Sequence, residues 1–138
     1  GHDEAETVWS LRMTAEEYAR YFFRGKVRLS IITRTSHGAV VFDGVSIFDH
    51  PGYTVSVVDT VGAGDAFVAG FLASLLHCHT ITEFLGLATI VRHELLTRAL
   101  ETANVCGALT CTRHGDTAAM PTMHQAVGRR RNGLGHGV

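Results

Sequence analysis

The residues best suited to chemistry form a glycine-rich loop that leads into an apolar stretch, residues 59–72. Gly62 and Gly64 let the backbone take conformations that a side chain would forbid, and they let a ligand approach closely. If a helix starts here, the N–H groups of Ala63, Gly64 and Asp65 lack intrahelical acceptors and point toward one place, which suits an anion. Asp65 is then placed to accept a proton from a hydroxyl that attacks a phosphate.

The same spacing has a plainer interpretation, which stays open. Asp65 alone would favour the positive end of a helix dipole, and two glycines alone would serve a tight turn. Downstream, residues 66–76 are apolar apart from Gly70 and Ser74, so we expect a buried helix.

Capping signals predict the helices around this loop. Thr14 and Glu17 form a capping box that starts a helix running to about residue 24, with Gly25 as its stop. Thr80 and Glu83 form a second box. It opens a helical region to about residue 98, and a second helical stretch continues to about residue 109.

Alternation and turn residues predict the strands. Residues 27–31 alternate apolar and polar side chains, and Asp43-Gly44 predicts a hairpin of residues 39–42 with 45–48 through a type I′ turn. A further strand is expected over residues 53–58. This order suits an α/β sheet whose ligand lies beyond the carboxyl ends of the strands.

Composition limits the class of protein. The 138 residues carry a formal charge of −1 and are 46% hydrophobic, which favours one folded domain and disfavours nucleic-acid steering. We expect no membrane span and no signal peptide, and three cysteines, an odd number, suit a reducing cytoplasm. Residues 128–138 are basic and glycine-rich, and we expect a disordered tail there.

The stretch 59–70 reads DTVGAGDAFVAG and resembles the second signature of the ribokinase (PfkB-type) carbohydrate kinase family. The resemblance implies the C-terminal part of a ribokinase-like fold, a three-layer α/β/α arrangement with a β-hairpin sheet flanked by helices, over residues 1–127. It also implies that Gly62, Ala63 and Gly64 form the anion hole for the transferring phosphate and that Asp65 is the catalytic base. Kinases of this family are usually much longer, so the chain is expected to be a C-terminal fragment, a truncated product or one piece of a split enzyme.

Further segments resemble the family's nucleotide and magnesium motifs. Residues 3–6 resemble Asn-x-x-Glu with Asp3 in place of Asn, which implies that Glu6 helps to hold Mg²⁺; a frayed acidic N-terminus is the alternative. Residues 33–38 resemble the loop Thr-x-Gly-x-x-Gly, although Thr35 replaces its first glycine, and a simple strand-to-strand turn is the alternative. The implied ATP contacts are Thr33, Ser36, Gly38, Gly62, Gly64 and Asn104, the last at the adenine end unless it is merely exposed to solvent.

Residues 110–115 and 120–122 resemble the family's closing segment. In relatives that respond to potassium, main-chain oxygens of this segment surround a monovalent cation. The resemblance therefore implies K⁺ ligands at Asp59, Val61, Cys111 and His114, with carbonyl oxygens at the last three.

The predicted function is ATP- and Mg²⁺-dependent phosphorylation of a sugar hydroxyl, as in fructokinases or 2-keto-3-deoxygluconate kinases. No glycine-rich sugar-binding motif precedes residue 58, so the expected partners are a sugar substrate and either a second copy or a missing N-terminal half. The alternative is a non-catalytic ATP-binding remnant or split-enzyme fragment that lacks the sugar site.

Overall fold

Two compact units make up the computed structural model, Gly1–Gly52 and Tyr53–Val138. The structure describes residues 1–115 and 117–132. The first unit contains, in chain order, α1 (His2–Trp9), α2 (Ala15–Phe22), β1 (Ser30–Thr33), a 3₁₀ turn (Thr35–His37), β2 (Ala39–Phe42) and β3 (Ile47–His50). The second contains α3 (Ala63–Leu75), α4 (Ile81–Gly86), α5 (Thr89–Thr110), a 3₁₀ turn (Thr117–Ala119) and α6 (Met123–Asn132).

The sheet of the first unit is antiparallel, in the order β1-β2-β3. Ile31 pairs with Val41, and Val41 pairs with Phe48 on its other side. The helix α2 packs on β1 and β2. The core here is formed by buried side chains of both helices and the sheet, among them Ala5, Tyr18, Ala19, Ile32, Val40 and Phe42.

The predicted capping box at α2 is confirmed. The Thr14 hydroxyl accepts a hydrogen bond from the Glu17 N–H at 3.2 Å, and the Thr14 N–H donates to the Glu17 carboxylate at 2.7 Å. The helix ends at Phe22 rather than near residue 24, and Gly25 follows with a φ of +59°.

The hairpin is confirmed, but its turn differs from the predicted type I′ turn. β2 and β3 are joined by four residues, 43–46, because the Asp43 carboxylate accepts hydrogen bonds from the N–H groups of Val45 at 2.9 Å and Ser46 at 2.7 Å. Gly44 has a positive φ and Asp43 does not, whereas a type I′ turn needs both. The return strand therefore lies at 47–50 rather than 45–48. The first strand ends at Thr33, as predicted, but it begins at Ser30 and leaves out residues 27–29 of the alternating stretch.

The strand predicted over residues 53–58 is absent from the described part of the chain. A strand needs a neighbour with which to exchange backbone hydrogen bonds. Between residues 53 and 132 the described residues form only helices and loops. At the end of this segment, the N–H groups of Val58 and Asp59 instead donate to the Cys111 carbonyl.

In the second unit, α3 packs along α5. Gly70 permits this contact, because a Cβ atom at that position would lie 2.6 Å from the Cys106 Sγ atom. α3 buries one face only, which corrects the expectation of a helix buried all round: Val68 is 53% exposed and Leu72 is 45% exposed.

The remaining helices follow the predicted capping signal with different bounds. Thr80 and Glu83 form the second capping box, as predicted, but α4 ends at Gly86, and α5 then runs unbroken from Thr89 to Thr110. α6 includes residues 128–132 of the predicted disordered tail, and residues 133–138 lie outside the described residues. None of the helices in the described ranges has both the length and the apolar character that crossing a bilayer requires.

Candidate phosphate-transfer site

The start of α3 is built around a glycine in the left-handed region. Gly62, the residue before the helix, has a φ of +76°, a conformation that residues with a Cβ atom rarely adopt. Its carbonyl accepts the first helical hydrogen bond, from the Ala66 N–H at 2.9 Å. From α5, Gly107 supports this turn at close range, since a Cβ atom there would lie 3.3 Å from the Ala63 carbonyl oxygen.

The three N–H groups of the first turn differ in whether they are already engaged. The Ala63 N–H donates to the Thr60 carbonyl at 3.3 Å. Within the described chain, the N–H groups of Gly64 and Asp65 have no recorded acceptor, as expected for the first turn of a helix. The Gly62 N–H likewise has no acceptor in the described chain, so the donors offered to an anion are those of Gly62, Gly64 and Asp65, and the Ala63 N–H is occupied.

Asp65 lies exposed in the same turn, and its carboxylate makes no hydrogen bond or ion pair with the residues that the structure describes. The neighbouring Gly64 is equally open: a Cβ atom at that position would meet nothing within 4 Å. A carboxylate beside free N–H donors matches the arrangement predicted for a base next to an anion, and it also matches the simpler helix-dipole interpretation.

Asp59 ties the loop before α3 to the segment after α5. Its carboxylate accepts hydrogen bonds from the Val61 N–H at 3.0 Å and from the Gly115 N–H at 3.4 Å. These two bonds, that of Val61 first, hold the pKa of Asp59 below its usual value, and the nearby His114 adds to the effect. The structure therefore brings together Asp59, Val61, Cys111 and His114, the four predicted K⁺ ligands.

The Cys111 carbonyl is already satisfied in this cluster. It accepts the N–H of Val58 at 2.8 Å and that of Asp59 at 3.3 Å, and a carbonyl oxygen has two lone pairs. Burial, and to a lesser degree the charge of Asp59, raise the pKa of the Cys111 thiol. The Cys111 carbonyl therefore holds the segment after α5 against residues 58 and 59.

Asn104, predicted at the adenine end of an ATP site, is 6% exposed in the middle of α5. Its Nδ2 atom donates to the Leu100 carbonyl at 2.8 Å. The alternative of an Asn exposed to solvent is therefore wrong, and the side chain is held by its own helix.

The other predicted nucleotide and metal residues lie in the first unit. Glu6 is on α1, which is a regular helix rather than a frayed end, and its carboxylate lies 3.6 Å from the Arg12 guanidinium. Thr33 ends β1, and Ser36 is in the 3₁₀ turn that follows. Gly38 ends that turn with a φ of +76°, and a Cβ atom there would lie 1.9 Å from the His50 carbonyl oxygen.

A cavity of about 610 Å³ opens beside this turn, which is within the size range of small-molecule sites. Sequence reasoning missed its charged lining, because the contributing residues are far apart in the chain and form no motif. The cavity is lined by basic and acidic side chains together with three uncharged residues. The basic residues are His2, Arg34 and His37, the acidic ones are Asp3 and Glu16, and the uncharged ones are Thr14, Ala15 and Thr35.

Comparison with known proteins identifies the family. The model of the pfkB family carbohydrate kinases matches residues 1–123. The aminoimidazole riboside kinase of Salmonella typhimurium (strain LT2) is 38% identical over 104 residues, which are 75% of this chain and 30% of that protein. The chain spans between 26% and 30% of the length of the first curated relatives that it matches.

Solved structures of the same family share the fold. The Salmonella enterica aminoimidazole riboside kinase, in complex with aminoimidazole riboside and an ATP analogue, is 33% identical with a TM-score of 0.70, over 92% of this chain and 39% of that one. A fructokinase double mutant from Vibrio cholerae O395, with fructose, ADP and a potassium ion bound, is 26% identical with a TM-score of 0.71, over 92% and 38%. The fold is therefore ribokinase-like, and the chain belongs to the pfkB family of carbohydrate kinases.

Proposed function

We propose that the chain supplies the nucleotide-binding and phosphoryl-transfer part of an ATP-dependent carbohydrate kinase. The observation that carries the proposal is the start of α3, where the N–H groups of Gly64 and Asp65 have no acceptor in the described chain and the Asp65 carboxylate is exposed and unpaired. Family membership supports the same reaction class.

In this proposal catalysis depends on positioning and electrostatics. The Gly64 and Asp65 N–H groups stabilise negative charge on the transferring phosphate, as preorganised donors do. Gly62 gives the turn its shape and offers its own N–H as a further donor, and the Ala63 N–H joins the donor set if it releases the Thr60 carbonyl. The Asp65 carboxylate accepts the proton of the attacking sugar hydroxyl.

Thr33, Ser36 and Gly38 contact the nucleotide phosphates in this proposal. The positive φ at Gly38 and its close approach to the His50 carbonyl give the turn a shape that a side chain would not permit. Asn104 lies under the base, where its fixed amide limits the orientations that the side chain can take.

The residues present offer one carboxylate, that of Glu6, to Mg²⁺. Magnesium is commonly held by one or two carboxylates together with substrate phosphates, and Glu6 offers a part-exposed carboxylate with only a 3.6 Å contact to Arg12. When bound, the ion neutralises charge on the phosphates. For K⁺, the Cys111 carbonyl already accepts two N–H donors, whereas each Asp59 oxygen accepts one and keeps a lone pair that a cation could use. The proposal includes no step that needs this ion.

The acceptor is proposed to be a sugar of the fructose or 2-keto-3-deoxygluconate class. A fructokinase and an aminoimidazole riboside kinase both resemble the chain, so a substrate panel has to include ribosides. The cytoplasm is the proposed compartment, because the three free cysteines suit a reducing environment.

Isothermal titration calorimetry with MgATP tests the nucleotide part of this proposal. We expect saturable binding to the wild-type chain and unchanged binding to Asp65→Asn, because the base contacts the acceptor hydroxyl rather than the nucleotide. No heat of binding at millimolar MgATP would contradict the proposal. Binding without transfer to any sugar of the panel would favour the alternative, a non-catalytic ATP-binding remnant or a split-enzyme fragment that lacks the sugar site.

A further inference from the structure

Arg34 joins two backbone segments of the first unit. Its Nη1 atom donates to the Asp49 Oδ2 atom at 3.1 Å, and its Nη2 atom donates both to Asp49 Oδ1 and to the His50 carbonyl at 3.1 Å. The side chain is 25% exposed. A bidentate arginine–carboxylate pair of this kind fixes geometry as well as charge.

The backbone of the same residue closes the turn that follows β1. The Arg34 N–H donates to the Gly38 carbonyl at 2.7 Å, and the Arg34 carbonyl accepts the His37 N–H at 2.9 Å. Gly38 in turn crosses the segment after β3 so closely that a Cβ atom would lie 2.4 Å from the Gly52 nitrogen. The turn of residues 34–38 is therefore fastened to residues 49–52 at both ends.

One residue of this turn is strained. Thr35 has a φ of +51°, in the left-handed region, where a β-branched side chain is unfavourable. Strain of this kind persists only where the surrounding structure imposes it. Arg34, the residue before Thr35, connects this turn to β3 through its hydrogen bonds to Asp49 and His50.

The guanidinium has little capacity left for a phosphate. Three of its five N–H groups donate to Asp49 and His50, and the Nε–H group is buried without a hydrogen-bond partner among the described residues, which leaves one N–H on Nη1. The carboxylate of Asp49 also offsets the positive charge. Arg34 is thus better placed to hold the turn than to bind the nucleotide itself.

We propose that Arg34 is a positioning residue, whose clamp on Asp49 and His50 holds residues 34–38, with the strained Thr35, in the shape that receives the nucleotide phosphates. The proposal rests on the proposed function for its ligand. It goes further by naming Arg34 and Asp49 as a pair that acts through the turn.

Calorimetric MgATP binding separates the clamp from direct contact with the nucleotide. Arg34→Lys keeps the charge but loses the bidentate geometry, and Asp49→Asn keeps the shape but weakens the pair. We expect each to weaken MgATP binding about tenfold, the change that corresponds to weakening one phosphate hydrogen bond by about 1.4 kcal/mol. The double variant should be no weaker than either single one. A direct phosphate contact predicts instead that Asp49→Asn binds MgATP as well as the wild type or better, and that result would overturn the proposal.

A rescue variant tests whether Asp49→Asn weakens MgATP binding by changing the shape of the turn or by a general loss of stability. Thr35→Gly in the Asp49→Asn background removes the strained side chain, so we expect it to restore part of the lost affinity; no restoration would count against the role of the strain. Arg98→Lys is the matched control, because Arg98 pairs with Glu94 on an exposed face of α5. It should bind MgATP like the wild type.

Hydrogen exchange distinguishes failure of the clamp from failure of the nucleotide assignment. The amide of His37 should exchange faster in both Arg34→Lys and Asp49→Asn than in the wild type. If the His37 amide exchanges faster in the two variants but the wild type binds no MgATP, Arg34 holds the turn and the turn has no role in nucleotide binding. Unchanged exchange in both variants would refute the clamp.

Discussion

Gly70→Ala tests the packing of α3 against α5. The added Cβ atom would lie 2.6 Å from Cys106 Sγ, 3.0 Å from Cys106 Cβ and 3.4 Å from the Ala103 Cα atom. Distances below 3.0 Å force atoms to move, and overpacking of this kind costs about 1–3 kcal/mol. Alanine in a helix interior returns about 1 kcal/mol relative to glycine. We therefore expect a net loss of unfolding free energy of about 1 kcal/mol, and at most about 2 kcal/mol.

Gly128→Ala in α6 is the matched control, because a Cβ atom there would meet nothing within 4 Å. Urea unfolding followed by circular dichroism gives both free energies. The control should gain up to about 1 kcal/mol, which separates the two variants by about 2 kcal/mol. Cys106→Ala in the Gly70→Ala background should recover part of the loss, because it removes the closest atom. Equal stability of the two glycine variants would refute the packing argument.

Three further predictions concern the first turn of α3, the loop before it and the capping of α2. Gly64→Ala should fold as stably as the wild type, because a Cβ atom there would meet nothing within 4 Å. Calorimetry should nevertheless show about tenfold weaker MgATP binding, or about 1.4 kcal/mol, if the added Cβ atom keeps a phosphate from the backbone N–H groups. Unchanged affinity would place the phosphate elsewhere. The pKa of Asp59 lies below its usual 3.8 in the folded state, so its stabilising effect is complete above pH 3.8 and is lost as pH falls through the lower folded value. The thermal midpoint of Asp59→Asn should therefore lie below that of the wild type at neutral pH, and the gap should narrow below pH 3.8; a constant gap would exclude the ionised carboxylate as the cause. Thr14→Ala should lose about 1 kcal/mol of unfolding free energy in urea, whereas the exposed Thr7→Ala should lose less, and equal losses would mean that the cap contributes nothing special.

Local features of the fold could be predicted from the sequence where neighbouring residues determine them. The capping boxes at Thr14 and Thr80 depend on a residue three positions away, and both form as predicted. The hairpin was predictable, but its turn type was not, because the Asp43 carboxylate competes for the N–H groups of Val45 and Ser46. The prediction of a strand over residues 53–58 was wrong, because a strand needs a neighbouring strand and the described residues of this unit form none.

Some features of the candidate site could be predicted from neighbouring residues, and others depend on contacts between distant parts of the chain. The left-handed Gly62 at the start of α3 follows from a glycine loop before an apolar run. The Cys111 carbonyl could not be predicted, since main-chain bonds to Val58 and Asp59 leave no pattern in side chains. Arg34 was missed for a related reason: its partner Asp49 lies 15 residues away, beyond an intervening strand.

Phosphate transfer from γ-labelled ATP is the most direct test of the proposal that Asp65 is the base of a sugar kinase. It compares the wild type with Asp65→Asn in the natural polypeptide that contains these 138 residues, with fructose, 2-keto-3-deoxygluconate and aminoimidazole riboside as acceptors. We predict that Asp65→Asn lowers kcat by about 10²–10⁴-fold while MgATP binding is retained, because a positioned base contributes that much. Transfer by Asp65→Asn at the wild-type rate would contradict the claim.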